Sequence, residues 1–235
     1  MLPEHQGRHT LVLDMEGTIL TEFSDKSGGS SIDFALQQEA TEVPSFITQR
    51  PYLQQFLQVT SNIYEIVIFT ELSKVKADTI LDNIVENSSS YITHRLYRES
   101  CREIDGKLVK DISSLGRDMR KSLIVDDCIF RYSLQPCNSI PITRYEGDPN
   151  DEELEYLFDL LVRASTEEDV KIFLAAQFPE LQDSESGIAK LLADHIVKIG
   201  LFSSRLGPYL SSDLRQRGKK NTLVLDMDET LLKES

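Results

Sequence analysis

Residues 10–20 read TLVLDMEGTIL, and residues 222–232 read TLVLDMDETLL. In the first copy an apolar run, LVLD (11–14), ends on Asp14, and two similar runs follow in IVIF (66–69) and LIVD (123–126). Near-continuous apolar runs of this length suit strands covered on both faces, as in a parallel sheet. Amphipathic stretches lie between them. The alternation predicts an α/β fold: a central, mostly parallel sheet flanked by helices, with a small insertion after the first strand.

The helices follow from spacing. PYLQQFLQV places Pro51 at a first helical turn, and VKADTILDNIV repeats apolar residues at roughly helical spacing. DEELEYLFDLLVRA (151–164) and TEEDVKIFLAAQF (166–178) predict two more helices, the second with Thr166 as N-cap. Asp105-Gly106 reads as a hairpin turn, and SDKSGGSSID (24–33) as a flexible loop within the insertion at 21–49. An insertion there sits above the carboxyl end of the first strand, where open α/β sheets bind ligands.

A formal charge of -14 argues against a nucleic-acid or anionic-membrane surface and favours a phosphorylated peptide with basic flanks. Cys101, Cys128 and Cys137 form no CxxC pair, which favours a reducing compartment over a disulfide frame or a zinc site. MLPEHQGRHT lacks the apolar core of a signal peptide, and no stretch approaches a membrane span. The expected location is nuclear or cytoplasmic.

Chemistry concentrates where the strands end. Asp14 closes the first strand, Thr70 follows the second, and Asp126-Asp127 close the third, so one sheet edge collects them. A strand-end Asp is a nucleophile when its carboxylate faces phosphorus, and Mg²⁺ bridges such a carboxylate, a second acid and a phosphate. Thr18, Thr70 and Lys110 are the candidate donors to the phosphate oxygens. Turn chemistry alone also places Asp and Thr at strand ends, so their order carries the argument, not any single residue. His94, beside strand residues with no second ligand nearby, reads as structural. Arg95 and Arg98 are expected to pair with Glu99 or Asp118, with a contact to substrate phosphate as the alternative.

LVLDMEGTIL resembles the D-x-D-x-T signature of the haloacid dehalogenase superfamily. RPYLQQFLQ, YEIVIFTELSKVKAD, HRLYRESC, GKLVKDISSLGRD and KSLIVDD narrow the resemblance to the C-terminal-domain phosphatases of RNA polymerase II, small and general, with their NLI-interacting-factor-like relatives. It covers roughly residues 8–178. What it implies is a Mg²⁺-dependent phosphatase acting on phosphoserine or phosphothreonine in a protein or peptide through an aspartyl-phosphate. Asp14 then corresponds to the nucleophile and metal ligand. Glu16 corresponds to the acid/base residue, whose backbone carbonyl also faces the metal. Thr70 and Lys110 correspond to phosphate binders, and Asp126 and Asp127 to the acidic pair near the metal.

This chain departs from the family at Glu16, where the family has Asp. One methylene moves the carboxylate by about a bond length, and a misplacement of ~1 Å can cost ~10²-fold. Turnover is therefore expected to be weakened. Lys76 stands where the small phosphatases carry an aromatic of their proline pocket, so the polymerase-tail substrate does not transfer. The alternative is a catalytically dead phosphopeptide-binding or scaffolding domain, and a third reading is a small-molecule phosphatase of the same superfamily.

The second copy matches the first at eight of eleven positions, which points to a tandem duplication. The resulting organisation is a phosphatase-like domain over 8–180, a linker with an amphipathic helix over 181–220, and the truncated start of a second copy over 221–235. That start holds Asp226 and Asp228 but no counterpart of Thr70, Lys110 or the Asp126-Asp127 pair.

Overall fold

The computed structural model describes residues 7–25, 32–37 and 44–181. The linker and second copy expected from the sequence lie outside these residues, as does most of the 24–33 loop.

Along the chain, β1 (His9–Leu13) is followed by β2 (Leu20–Phe23), β3 (Phe34–Leu36), β4 (Ser45–Gln49), α1 (Leu53–Thr60), β5 (Tyr64–Phe69), α2 (Lys74–Ile84), α3 (Ser88–Tyr91) and β6 (Ile92–Leu96). Then come β7 (Arg102–Ile104), β8 (Lys107–Val109), β9 (Ser122–Asp126), β10 (Ser139–Pro141), α4 (Glu153–Ala164) and α5 (Val170–Gln177). Five strands form one sheet in the order β10-β9-β1-β5-β6, and every pairing in it is parallel.

The apolar runs explain the centre of this sheet. Leu11, Val12 and Leu13 of β1, Ile66, Val67 and Ile68 of β5, and Leu123, Ile124 and Val125 of β9 are all buried. Burying such side chains stabilises by ~1.5–3 kcal/mol each, so these strands form the middle of the core. From α4, Leu154, Leu157, Leu160 and Leu161 join them. The chain leaves β1 toward β5 and β6 and later returns to β9 and β10 on the other side. That reversal puts a topological switch point at the carboxyl ends of β1 and β9, the usual ligand crevice of such sheets.

The insertion carries its own three-stranded antiparallel sheet, β2-β4-β3. The β7–β8 hairpin turns at Asp105-Gly106, both with positive φ (50° and 74°), the conformation a two-residue primed turn requires. Two helix starts differ from expectation. α5 is capped by Asp169, whose carboxylate accepts the Lys171 N–H, and not by Thr166. Pro51 lies before the cap residue Tyr52 instead of inside the first turn of α1. No helix among the described residues is long and apolar enough to cross a membrane.

Candidate active site

Asp14 is the first residue beyond β1, and its N–H bonds to the Val125 carbonyl on β9, which fixes it at the switch point. Its side chain is buried, 2.5 Å from Lys110 Nζ through Oδ1, while Oδ2 accepts from the Thr18 hydroxyl at 3.2 Å. Lys110, just past β8, is completely buried and also donates to Asp126 Oδ2 at 2.7 Å. Asp126 ends β9, and its Oδ1 accepts the Cys128 N–H at 2.8 Å. Asp127 follows, held by Arg144 at 2.7 Å. Asp14, Asp126 and Asp127 each offer one carboxylate oxygen within 4.8 Å of the other two.

Electrostatics reinforce the grouping. Burial and the neighbouring Asp14 charge push Asp126 upward, against the pull of Lys110. Burial also opposes the Lys110 charge, yet Asp126 and Asp14 outweigh it and hold the ammonium protonated. Glu16 lies beside the cluster, and its carboxyl is raised above the usual range by burial, with Lys76 opposing and Glu22 and Asp14 adding to the rise. Lys76 itself pairs with Glu22 at 2.6 Å.

Thr70, one residue past β5, is buried, and its hydroxyl accepts the Leu72 N–H at 3.1 Å. The strand-end polar groups predicted from sequence therefore meet at one sheet edge. Thr18 is turned to the Asp14 carboxylate. Arg95 pairs with Asp78 and Asp82, and Asp118 with Arg120, which corrects the pairings expected above. His94 lies 3.4 Å from Glu65, in keeping with a structural residue.

Three residues escaped the sequence reading. Arg131, in the turn after β9, reaches Glu71 at 2.8 Å and comes within 3.5–3.8 Å of Asp127, Asp14 and Asp126. Arg144 approaches Asp127 from the opposite segment. Gly17 has φ +80°, and a Cβ there would lie 2.7 Å from Asp127 Oδ2 and 2.8 Å from Arg144 Nη1. Only a glycine lets the loop approach this closely.

The supporting shell accounts for the longer strings. In LVKDISSLGRD, Lys110 enters the site, Asp111 accepts the Ser113 N–H, and Arg117 makes a two-pronged pair with buried Glu65 on β5 at 2.7 and 2.8 Å. Arg50 is completely buried and binds Asp151, the Thr18 carbonyl and the Thr143 carbonyl, tying the loop between β1 and β2 to the segment bearing Arg144.

Comparison with known proteins follows the same lines. The family profile of NLI interacting factor-like phosphatases matches residues 9–171. A probable C-terminal domain small phosphatase of Dictyostelium discoideum is 35% identical over 174 residues, covering 74% of this chain and 56% of its own. Carboxy-terminal domain RNA polymerase II polypeptide A small phosphatase 2 of Homo sapiens is 32% identical over 167 residues, covering 71% and 61%. The mitochondrial import inner membrane translocase subunit TIM50 of Candida albicans is 41% identical over 113 residues, covering 48% and 23%. The chain thus spans from under a quarter to about three fifths of the length of these relatives. On its strand-end acids, its buried lysine and the match over 9–171, the chain belongs to the NLI interacting factor-like phosphatase family.

Proposed function

We propose that this chain is a Mg²⁺-dependent protein serine/threonine phosphatase that works through an aspartyl-phosphate on Asp14, with turnover weakened by Glu16. The supporting observation is the buried Asp14 carboxylate at the switch point, flanked by Lys110 and by Asp126 and Asp127. Three converging carboxylates form a hard oxygen set of the kind Mg²⁺ takes. Asp14, Asp127 and the Glu16 carbonyl would hold it, with Asp126 beside them. When bound, Mg²⁺ neutralises charge on the phosphate and orients it toward Asp14.

The steps follow from the protein's own groups. An Asp14 oxygen attacks phosphorus as the bond to the serine or threonine oxygen breaks, and Glu16 gives that oxygen its proton. A raised carboxyl pKa suits Glu16 to that first role. Glu16, now ionised, takes a proton from water, whose oxygen attacks phosphorus, freeing inorganic phosphate and restoring Asp14. Lys110 orients Asp14, while Thr70 and Lys110 stabilise phosphoryl oxygens as charge shifts in the transition state. Thr18 steadies the second Asp14 oxygen and completes the phosphate-binding set.

The substrate proposed is a phosphoserine or phosphothreonine protein segment with basic flanks, matched to a charge of -14. Mg²⁺-dependent hydrolysis of p-nitrophenyl phosphate by the wild type, lost in Asp14→Asn and in chelator, tests this; equal hydrolysis by Asp14→Asn overturns it. A second reading, a phosphopeptide-binding domain without turnover, is favoured by the Arg131 guanidinium facing the three carboxylates. That assay together with a phosphopeptide titration separates the two, because the second reading gives no hydrolysis with retained phosphopeptide binding.

A further inference from the structure

The carboxylate cluster presents two faces. On one, Lys110 takes Asp14 Oδ1 and Asp126 Oδ2. On the other, Asp14 Oδ2, Asp126 Oδ1 and Asp127 Oδ1 face a single nitrogen, Arg131 Nη1, at 3.6, 3.8 and 3.5 Å. That second face is the one left for a cation, and a guanidinium already stands before it. We propose that Arg131 is the internal counter-ion of this cluster and competes with the divalent cation for it, so that it sets the metal affinity of the site.

The contact lengths support exchange. Arg131 makes its short bond to Glu71, at 2.8 Å through Nη2, while its contacts to the three aspartates are all 3.5 Å or longer. Glu71 therefore anchors the arm, and Nη1 contributes charge to the cluster without a short hydrogen bond that would have to break. A divalent ion bound to the Asp14 and Asp127 oxygens of this face at ~2.1 Å would meet the full guanidinium charge at close range, in a site too buried for water to screen it. Either the arm swings off or the ion binds weakly. Arg144 acts on Asp127 in the same sense from the other side, at 2.7 Å, in the space that Gly17 leaves open.

This inference rests on the metal reading of the site, and its test separates the two. Mg²⁺ affinity is measured by isothermal titration on the full chain for the wild type, Arg131→Gln, Arg131→Lys and, as a control for net charge, Arg120→Gln, whose guanidinium is exposed and paired with Asp118. Arg131→Gln is expected to tighten Mg²⁺ at least about tenfold, Arg131→Lys less, and Arg120→Gln not at all. Should Arg131→Gln fail to fold, the Arg131 Nε–H NMR signal of the wild type, assigned through Arg131→Lys, must move on titration with Mg²⁺. Mg²⁺ binding by the wild type with no tightening in Arg131→Gln, or with an unmoved signal, overturns the inference and leaves the metal reading intact. Failure of wild type and both Arg131 variants to bind Mg²⁺ overturns both.

Discussion

Lys110 Nζ lies 2.5 Å from Asp14 Oδ1, completely buried, in a pair that joins the end of β8 to the end of β1. Such a pair is held in place by what its loss would leave behind: uncompensated charge in a dry site. Lys110→Met leaves Asp14 and Asp126 with only the longer Arg131 contacts in place of their short bonds to Lys110. The expected cost is ~3–5 kcal/mol of stability, read by chemical denaturation in chelator, together with loss of hydrolysis. A variant as stable as the wild type would mean that the Lys110 pairs contribute nothing to the fold.

Glu16 yields a pH prediction. Burial raises its folded pKa above the unfolded value, so its contribution to stability is fully present below the unfolded carboxylate pKa and is lost as pH rises through the folded one. Glu16→Gln removes that loss. In chelator the melting temperature of Glu16→Gln should exceed the wild type's at pH 8, with the difference shrinking toward pH 4. A constant difference across that range contradicts the assignment.

Glu16→Asp tests the acid/base role separately. Shortening the side chain to the family's residue should raise kcat by roughly 10- to 10³-fold, within what general acid/base catalysis supplies, with Mg²⁺ affinity nearly unchanged. An effect confined to KM belongs to uniform binding and would remove Glu16 from the proton transfer.

Gly17→Ala places a methyl group against the Asp127–Arg144 pair at φ +80°. Strain of this kind costs ~1–3 kcal/mol, and the displaced Asp127 should also weaken Mg²⁺ binding. Retained stability and affinity would show that the loop relaxes without disturbing Asp127.

Deletion of residues 213–235 should leave the melting temperature nearly unchanged. β1 is already paired on both sides, by β5 and β9, so the central position that the second copy would fill is taken. A large fall on deletion would show that the tail strand is integrated, as in exchange between molecules.

The central strands were legible because their side chains are buried on both faces, which writes burial directly into LVLD, IVIF and LIVD. The same runs placed Asp14, Thr70, Asp126 and Asp127 at one edge. Lys110 carried no periodic signal, and only its motif brought it to the site. Arg131 and Arg144 were not legible, because their role depends on turns after β9 and β10 folding back over the strand ends, a long-range contact that no local pattern encodes. The start of α5 was misplaced for a simpler reason: Thr166 and Asp169 are both good caps, and Thr166 turns its hydroxyl to the Arg163 carbonyl instead.

Phosphoryl transfer to Asp14 is measured most directly by mass spectrometry of acid-quenched protein after incubation with Mg²⁺ and p-nitrophenyl phosphate. The prediction is one phosphoryl group on the peptide containing Asp14, at higher occupancy in Glu16→Gln, where hydrolysis of the intermediate lacks its base, and none in Asp14→Asn. Absence of the group from Asp14 in both wild type and Glu16→Gln, or its presence on another residue, would contradict the account.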